Sequence, residues 1–97
     1  MFRHIVLLTL TQDATEVSRQ AILDGLATLP GRIPSLRTYT FGVDAGINEG
    51  NADVVAVADF DDFDGYLFYR DHEAHHQVIN DFIKPVLASR AAVQYEF

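Results

Sequence analysis

The hydrophobic residues of this 97-residue chain gather in short segments that polar or glycine-containing turns separate. Residues 2–10, 36–43 and 53–60 are rich in aliphatic and aromatic side chains and too short for typical helices, so each predicts a β-strand. The loop AGINEGN joins the second of these strands to the third. The closing segment AAVQYEF predicts a fourth strand.

Helical spacing replaces this pattern after the first strand. Ile22, Leu26 and Leu29 fall on one side of a helix whose other side is polar. Asp13 and Glu16, three residues apart, predict a capping box at its start, and the turn sequence PGRIP predicts its end.

A second helical stretch is predicted from about residue 63 to residue 87, with a break near Asp71. The acidic segment DFDDFDG before it has the wrong spacing for a calcium loop, so we expect Asp61 or Asp62 to cap the helix. The order of elements is then βαββαβ. This order predicts an α+β fold of the ferredoxin-like type with a four-stranded antiparallel sheet.

Two helices can cover only one face of such a sheet, yet the predicted strands are apolar on both faces. Ile5 and Leu7 point away from the other apolar side chains of the first strand, and Val55 and Val57 do the same in the third. A solvated face of an antiparallel sheet is normally polar, and an uncovered apolar patch usually marks an interface. We therefore expect a homodimer with the two sheets packed face to face.

Length and composition restrict the classes of function. The chain is long enough for one domain, so residues 1–97 are expected to form a single unit. The formal net charge of −7 argues against nucleic acid and anionic membranes as partners, because both require a basic surface. The chain has no cysteine. Its first apolar run, Ile5 to Leu8, is too short for a signal peptide or a membrane span, which predicts a cytoplasmic protein.

The segment HEAHH, His72 to His76, matches the zinc-protease pattern H-E-x-x-H, in which two histidines on one helix face bind the metal. Such a site needs a third protein ligand, and the only downstream glutamate, Glu96, lies in the predicted last strand. Asp71 indicates a helix start immediately before the motif, whereas the zinc motif lies inside a longer helix. We therefore predict neither a metal site nor a cofactor.

A helical wheel suggests a different use of these histidines. His75 falls within the apolar stripe of the second helical stretch, whose other members are Val78, Ile79, Phe82 and Val86. His72 falls about 60° to one side. His4 shares a face with apolar residues of the first strand, so His4 and His75 can converge between sheet and helices. Tyr69 precedes the expected break, and a bend there can bring its hydroxyl near the imidazole of His75.

Two interpretations of these residues stay open. Inward histidines beside a tyrosine are typical of a pocket with acid–base chemistry, because histidine can act as a base near neutral pH. Inward histidines are also found as hydrogen-bonded core residues, and His72 can serve as a helix cap.

Over essentially the whole chain, the sequence resembles the stress-responsive A/B barrel domain (Dabb) family. The segments that carry the resemblance are HIVLL, IPSLRTYTFG, ADVVAVADFDD, YRDHEAH and KPVL. Members of this family are ferredoxin-like dimers whose two sheets form a dimeric α/β barrel. Some are plant stress-induced proteins, and others are polyketide cyclases of the olivetolic acid cyclase type.

By resemblance to these cyclases, His75 is expected to act as a general base and Tyr69 to assist it. The expected cavity lining is His4, Val6, Leu8, Ile22, Leu26 and His72. The implied reaction is cofactor-free proton abstraction next to a carbonyl on a small, mostly apolar substrate. Two alternatives remain: a non-catalytic protein of the stress response that binds a lipophilic ligand, and a cofactor-free monooxygenase of the dimeric ferredoxin-like type.

Overall fold

The computed structural model describes all residues, 1–97, and contains one four-stranded antiparallel sheet. The strands are β1 (Phe2–Leu10), β2 (Thr38–Val43), β3 (Val54–Phe60) and β4 (Leu87–Glu96). They lie in the order β2-β3-β1-β4, and two helical regions complete the sequence βαββαβ. The predicted ferredoxin-like fold is therefore confirmed. The fourth strand begins at Leu87 rather than at Ala91, so it is longer than the sequence indicates.

Helix α1 runs from Glu16 to Ala27, and a reciprocal pair of hydroxyl side chains caps its start. The backbone N–H of Ser18 donates to the hydroxyl of Thr15 at 3.2 Å, and the backbone N–H of Thr15 donates to the hydroxyl of Ser18 at 3.4 Å. The predicted capping box of Asp13 and Glu16 is wrong, because Glu16 is already the first helical residue. Thr15 and Ser18 form the same kind of reciprocal box two residues later, with their own backbone N–H groups as donors.

The second helical region begins with α2 (Phe63–Asp71) and continues after a break with α3 (Glu73–Val78). Of the two predicted caps, Asp62 is the one used, since its Oδ1 accepts a hydrogen bond of 2.9 Å from a backbone N–H of the first turn. The break lies at His72, whose extended backbone (φ −70°, ψ 139°) ends one helix and starts the next. This is one residue beyond the predicted position. None of the helices is both long and apolar enough to cross a membrane.

After α3 the helical path continues as a wider π turn, Ile79–Ile83, and then as a 3₁₀ turn, Lys84–Val86. A π turn holds more residues than an α turn, so the positions that face the sheet are shifted along the chain. Ile83 is buried with 6% of its surface exposed, whereas Phe82 is 40% exposed. The predicted inward position of Phe82 is wrong for this reason. Its ring lies instead against Gly25, where an added Cβ would come within 2.9 Å of it.

The two faces of the sheet differ in what covers them. The helices pack on one face, where β1 contributes Phe2, His4, Val6, Leu8 and Leu10. Alternate residues of β1 point to the other, open face, where Ile5 pairs with Val57 and Leu7 pairs with Val55. The open face is therefore apolar at its centre, which agrees with the pattern of the sequence.

An ion pair lies among these apolar residues of the open face. The guanidinium of Arg3 donates to both carboxylate oxygens of Asp59, at 2.7 and 2.8 Å, and the Thr38 hydroxyl donates to the same carboxylate at 2.6 Å. Hydrogen bonding to Arg3 holds the pKa of the Asp59 carboxyl below its usual range. The guanidinium carbon of Arg3 also lies 4.6 Å from the ring centre of Phe97. Charge on the open face is thus internally paired.

Candidate active site

A cavity of about 370 Å³ lies between the helical segments and the covered face of the sheet. The sheet contributes His4, Val6, Leu8, Tyr39, Ala56, Leu87 and Arg90 to its wall. The helical segments contribute Leu26, Tyr66, Tyr69, Arg70, His75, Val78, Ile79 and Ile83. The wall is mostly hydrophobic and holds a few polar groups, which is the usual composition of a small-molecule site. No carboxylate is among the lining residues.

Most of the site residues predicted from the sequence meet in this cavity. Those that line it are His4, Val6, Leu8, Leu26, Tyr69 and His75. Ile22 does not line it, because its side chain lies fully buried in the core one helical turn before Leu26. His72 does not line it either. The fold therefore brings the proposed base, the tyrosine and the first-strand histidine together, while their chemical roles stay predictions.

The imidazole of His72 caps α3 instead of facing the cavity. Its Nδ1 accepts a hydrogen bond of 3.0 Å from the backbone N–H of Ala74. Its ring also lies edge-on to the ring of Phe68, with 5.5 Å between the centres. No group of three His, Cys, Asp or Glu side chains in the chain could hold a metal ion.

His75 is held in one tautomer by the backbone. Its Nδ1 lies 3.1 Å from the carbonyl oxygen of Arg70. A carbonyl oxygen can only accept, so Nδ1 carries the hydrogen, and Nε2 of the neutral ring is left with a free lone pair. Burial lowers the pKa of His75, and the nearby histidines and Arg90 lower it further. His75 is therefore neutral and able to accept a proton at neutral pH.

Tyr69 lies against His75 because of the bend between α2 and α3. The two ring centres are 4.3 Å apart, and the ring planes are inclined by 41°. The hydrogen bond that orients His75 is nevertheless the one that Nδ1 donates to the backbone carbonyl oxygen of Arg70, and the Tyr69 hydroxyl takes no part in it. Burial raises the pKa of Tyr69, so its hydroxyl stays protonated and can donate a hydrogen bond.

His4 approaches the same aromatic group from the sheet. Its ring centre lies 5.0 Å from that of Tyr66 and 6.4 Å from that of Tyr69. Its Nδ1 lies 3.0 Å from Oε1 of Gln94, which accepts, so Nδ1 carries the hydrogen and Nε2 has the lone pair. Burial lowers the pKa of His4 as well. The cavity thus contains two neutral imidazoles.

Tyr39 is a cavity residue that the sequence reasoning missed. Its hydroxyl is buried and makes no hydrogen bond of ordinary length and angle. Burial raises the pKa of Tyr39, and the nearby Tyr69 raises it further. The signal for it is present in β2, where Tyr39 and Phe41 alternate with Thr38 and Thr40. This alternation places both aromatic rings on the covered face.

Arg90 was missed for a different reason. It lies directly opposite Leu8 in the pairing of β4 with β1, and so on the covered face. The predicted last strand began at Ala91, which left Arg90 outside it. Extending the alternation backwards from Gln94 by four residues would have placed Arg90 on the same face.

Solved structures with this fold include close matches along the full chain. A dimeric ferredoxin-like protein of unknown function from Thermobifida fusca YX is 38% identical, with a TM-score of 0.90 over 99% of this chain and 90% of that one. A dimeric protein of unknown function from Bacteroides fragilis NCTC 9343 is 28% identical, with a TM-score of 0.86 over 99% of this chain and 95% of that one. Both of these similar proteins are dimeric.

A structure with an enzyme name shares the fold at lower identity. The hydroxynitrile lyase of Passiflora edulis is 15% identical, with a TM-score of 0.82 over 97% of this chain and 90% of that one. At this identity the likeness extends to the fold alone. No curated protein matches the chain in sequence.

The sequence of the whole domain also matches one family model. The Stress responsive A/B Barrel Domain, Dabb, matches residues 2–97. The chain therefore belongs to the stress-responsive A/B barrel domain family.

Proposed function

We propose that the chain is a cofactor-free enzyme of the polyketide cyclase-like type, which removes a proton next to a carbonyl group with His75 as the base. The observation that carries this proposal is the tautomer of His75. The Arg70 carbonyl oxygen fixes the hydrogen on Nδ1 and leaves Nε2 as a proton acceptor in the ring that lines the cavity. A base needs this combination of a free lone pair, a neutral form and a fixed ring orientation.

The surroundings of His75 suit an enolate-forming reaction. Removing a proton next to a carbonyl places negative charge on the carbonyl oxygen, and a hydrogen-bond donor aimed at that oxygen lowers the barrier. Tyr69 is such a donor, because its hydroxyl stays protonated and its ring touches that of His75. His4 provides a second imidazole in the same wall. It positions the substrate oxygen or relays the proton.

The proposed assembly is a homodimer in which two open faces pack against each other. Similar solved structures are dimeric, and the centre of the open face is apolar, with Leu7 42% exposed in a single copy. Burying that surface in a second copy removes it from water. The cavity lies on the opposite face of the sheet, so each protomer would keep its own site. The cytoplasm remains the proposed location, on the grounds of the sequence alone.

A lipophilic ligand carrier is the second candidate function. The observation that favours it is the wall itself, in which 11 of 15 lining residues are hydrophobic. Such a cavity holds an apolar molecule without any proton transfer. In this case His75 would only shape the wall.

Proton abstraction can be measured before a physiological substrate is known. Aryl methyl ketones incubated with the protein in D₂O exchange their methyl protons if a base removes them, and ¹H NMR follows the loss of the methyl signal. We expect wild-type protein to accelerate this exchange and His75→Gln to lose the acceleration while it still folds and binds the ketone. His76→Gln is the matched control, since His76 is exposed and lies outside the cavity wall. Binding without exchange in the wild type would identify a carrier, and the absence of binding would contradict both functions.

A further inference from the structure

The charge of the cavity wall is unbalanced. Three arginines of the chain are held in bidentate pairs by aspartates, namely Arg3 by Asp59, Arg37 by Asp61 and Arg70 by Asp71. Arg70 therefore brings no free charge to the cavity that it lines. Arg90 also lines the cavity, and it makes neither a salt bridge nor a side-chain hydrogen bond. In a chain of net charge −7, the cavity wall thus carries one unpaired positive charge.

The wall also contains an unused hydrogen-bond donor. The hydroxyl of Tyr39 is buried close to that of Tyr69, yet it makes no hydrogen bond of ordinary length and angle with any protein group. A buried hydroxyl without a hydrogen-bond partner destabilises the folded state, because folding has removed its hydrogen bonds to water. Such groups are therefore rare unless a water molecule or a ligand binds them. Tyr39 lies in the row of the sheet that runs through Ala58 to His4.

We propose that the cavity binds small carboxylic acids that also carry a carbonyl oxygen, with the carboxylate on Arg90 and the carbonyl oxygen on the Tyr39 hydroxyl. This inference rests on the proposed function, because it names the substrate class of the same cavity. A guanidinium pairs with a carboxylate through two parallel hydrogen bonds, which makes Arg90 selective for that group.

The positions of the two residues define the shape of this ligand. Tyr39 lies on β2 and Arg90 on β4, which are the two edge strands of the sheet. Three strand spacings separate them across the sheet, about 14 Å, and the four residues from His4 to Leu8 separate their rows along it, about 13 Å, so the two Cα atoms lie about 19 Å apart. Both side chains line the cavity on the covered face, and Arg90 is exposed to solvent there. The carboxylate and the carbonyl therefore lie at opposite ends of an apolar body, such as an aromatic ring.

Arg90 also acts electrostatically on the proposed base. Its positive charge adds to burial in lowering the pKa of both His4 and His75. A carboxylate bound to Arg90 cancels that charge. Binding of the acid therefore makes His75 a stronger base at the moment when a substrate occupies the cavity.

Three probes of nearly equal size separate the two contacts. 4-Acetylbenzoate has both groups, its methyl ester lacks the negative charge, and 4-ethylbenzoate lacks the carbonyl oxygen. Isothermal titration calorimetry at pH 7.5 measures their dissociation constants for wild type and variants. We expect wild type to bind 4-acetylbenzoate at least about tenfold more tightly than the ester, as for a charge-assisted hydrogen bond.

Arg90→Gln should weaken binding of 4-acetylbenzoate by at least about tenfold and leave binding of the ester nearly unchanged. Arg32→Gln is the matched control, because Arg32 is an exposed arginine outside the cavity wall and its loss changes the net charge equally. Equal affinity of wild type for the acid and the ester would overturn the proposal. So would an acid preference that survives in Arg90→Gln, or the absence of binding by the acid up to its solubility limit.

Tyr39→Phe tests the other contact and excludes a purely structural role. We expect it to weaken binding of 4-acetylbenzoate several-fold, without changing binding of 4-ethylbenzoate, and to raise the melting temperature of the ligand-free protein because an unpaired buried hydroxyl is gone. If the variant binds both acids as wild type does, Tyr39 is not a ligand contact.

Proton exchange is a separate measurement that distinguishes this inference from the proposed enzyme. Acid preference without exchange would contradict only the enzyme, and exchange with no preference for the acid would contradict only this inference.

Discussion

The two faces of the sheet hold their ionisable side chains in opposite states: neutral on the covered face, and charged but paired on the open face. On the covered face His4 and His75 are kept neutral by burial, so their pKa values are lowered and their lone pairs stay available. On the open face the carboxylate of Asp59 is kept charged by Arg3, so its pKa is lowered and its charge is fully paired. The covered face therefore holds groups that can react with a ligand. The open face holds groups that are already paired, which suits the proposed interface with a second copy.

A difference in packing accompanies this difference in charge. Ala56 lies in the wall of the cavity, opposite Val6 in the strand pairing, and its small side chain leaves room that a larger residue would fill. On the open face the neighbouring pair Leu7 and Val55 is larger and projects outward. One strand pair thus lines a cavity on one side of the sheet and an apolar surface on the other.

The largest expected effect comes from a charge placed on the covered face. Leu8 is 4% exposed and belongs to both the core and the cavity wall. In Leu8→Asp an unpaired carboxylate would be buried, so we expect a loss of more than about 4 kcal/mol and a chain that is mostly unfolded at 25 °C. Circular dichroism and urea unfolding measure this. A cooperatively folded Leu8→Asp would mean that this face is not the core.

The same change one residue earlier should leave the protomer folded. Leu7→Asp puts two carboxylates into the proposed symmetric interface, and we expect the dimer dissociation constant to rise at least about tenfold, or about 1.4 kcal/mol. Sedimentation equilibrium measures it. Val17→Asp is the control, since Val17 is an equally apolar residue on the outside of α1 with 80% of its surface exposed. If Leu7→Asp remains as dimeric as the control, the copies associate through another surface.

Acid should destabilise the two faces in separate pH windows. Histidines with lowered folded pKa values contribute stability that is present above their ordinary value of about 6.5 and is lost as pH falls through the folded values, because the unfolded chain binds protons first. For Asp59 the same reasoning places the loss below about pH 4. Urea unfolding across pH 3 to 8 should show both windows. His75→Gln should reduce the loss of stability only in the upper window, where His4 still contributes, and Asp59→Asn only in the lower one. A single common window would contradict the assignment.

The smallest expected effect belongs to His72, which caps α3 and lines neither the cavity nor the open face. His72→Ala removes the cap of α3, and we expect a loss of about 1 kcal/mol, as for other N-cap residues. His72→Asn should retain most of the stability, because asparagine is a good cap. Binding of 4-acetylbenzoate should be unchanged in both variants. A loss of binding in His72→Asn would mean that the His72 side chain contributes to the cavity wall.

The strands and the inward-facing residues could be predicted from the sequence, because burial in the core produces a regular spacing of hydrophobic residues over several positions. The strands, the break beside Asp71 and the inward position of His75 all follow from such patterns. Capping by Thr15 and Ser18 could not be separated from the Asp13 alternative, since both offer side-chain oxygens at suitable spacing.

The cavity was harder to predict than the fold. The empty space depends on where the helices cross the sheet, and the spacing of hydrophobic residues along the sequence does not specify those positions. Arg90 was hidden by a strand boundary, and boundaries are the least reliable part of a pattern. The hydrogen bond from His75 to the backbone of Arg70 depends on the angle of the bend at His72, and the sequence pattern predicts the bend but not its angle.

The π turn at Ile79–Ile83 has a consequence for how this domain tolerates insertions and deletions. Losing one residue from an α-helix rotates everything beyond it by about 100°, which usually turns the core side of the helix outward. Here the deletion of exposed Asn80 would shorten the wide turn to an α turn and leave Ile83 facing the sheet. A chain one residue shorter would keep its core. Length differences among relatives are therefore expected inside this helical segment as well as in the surface loops.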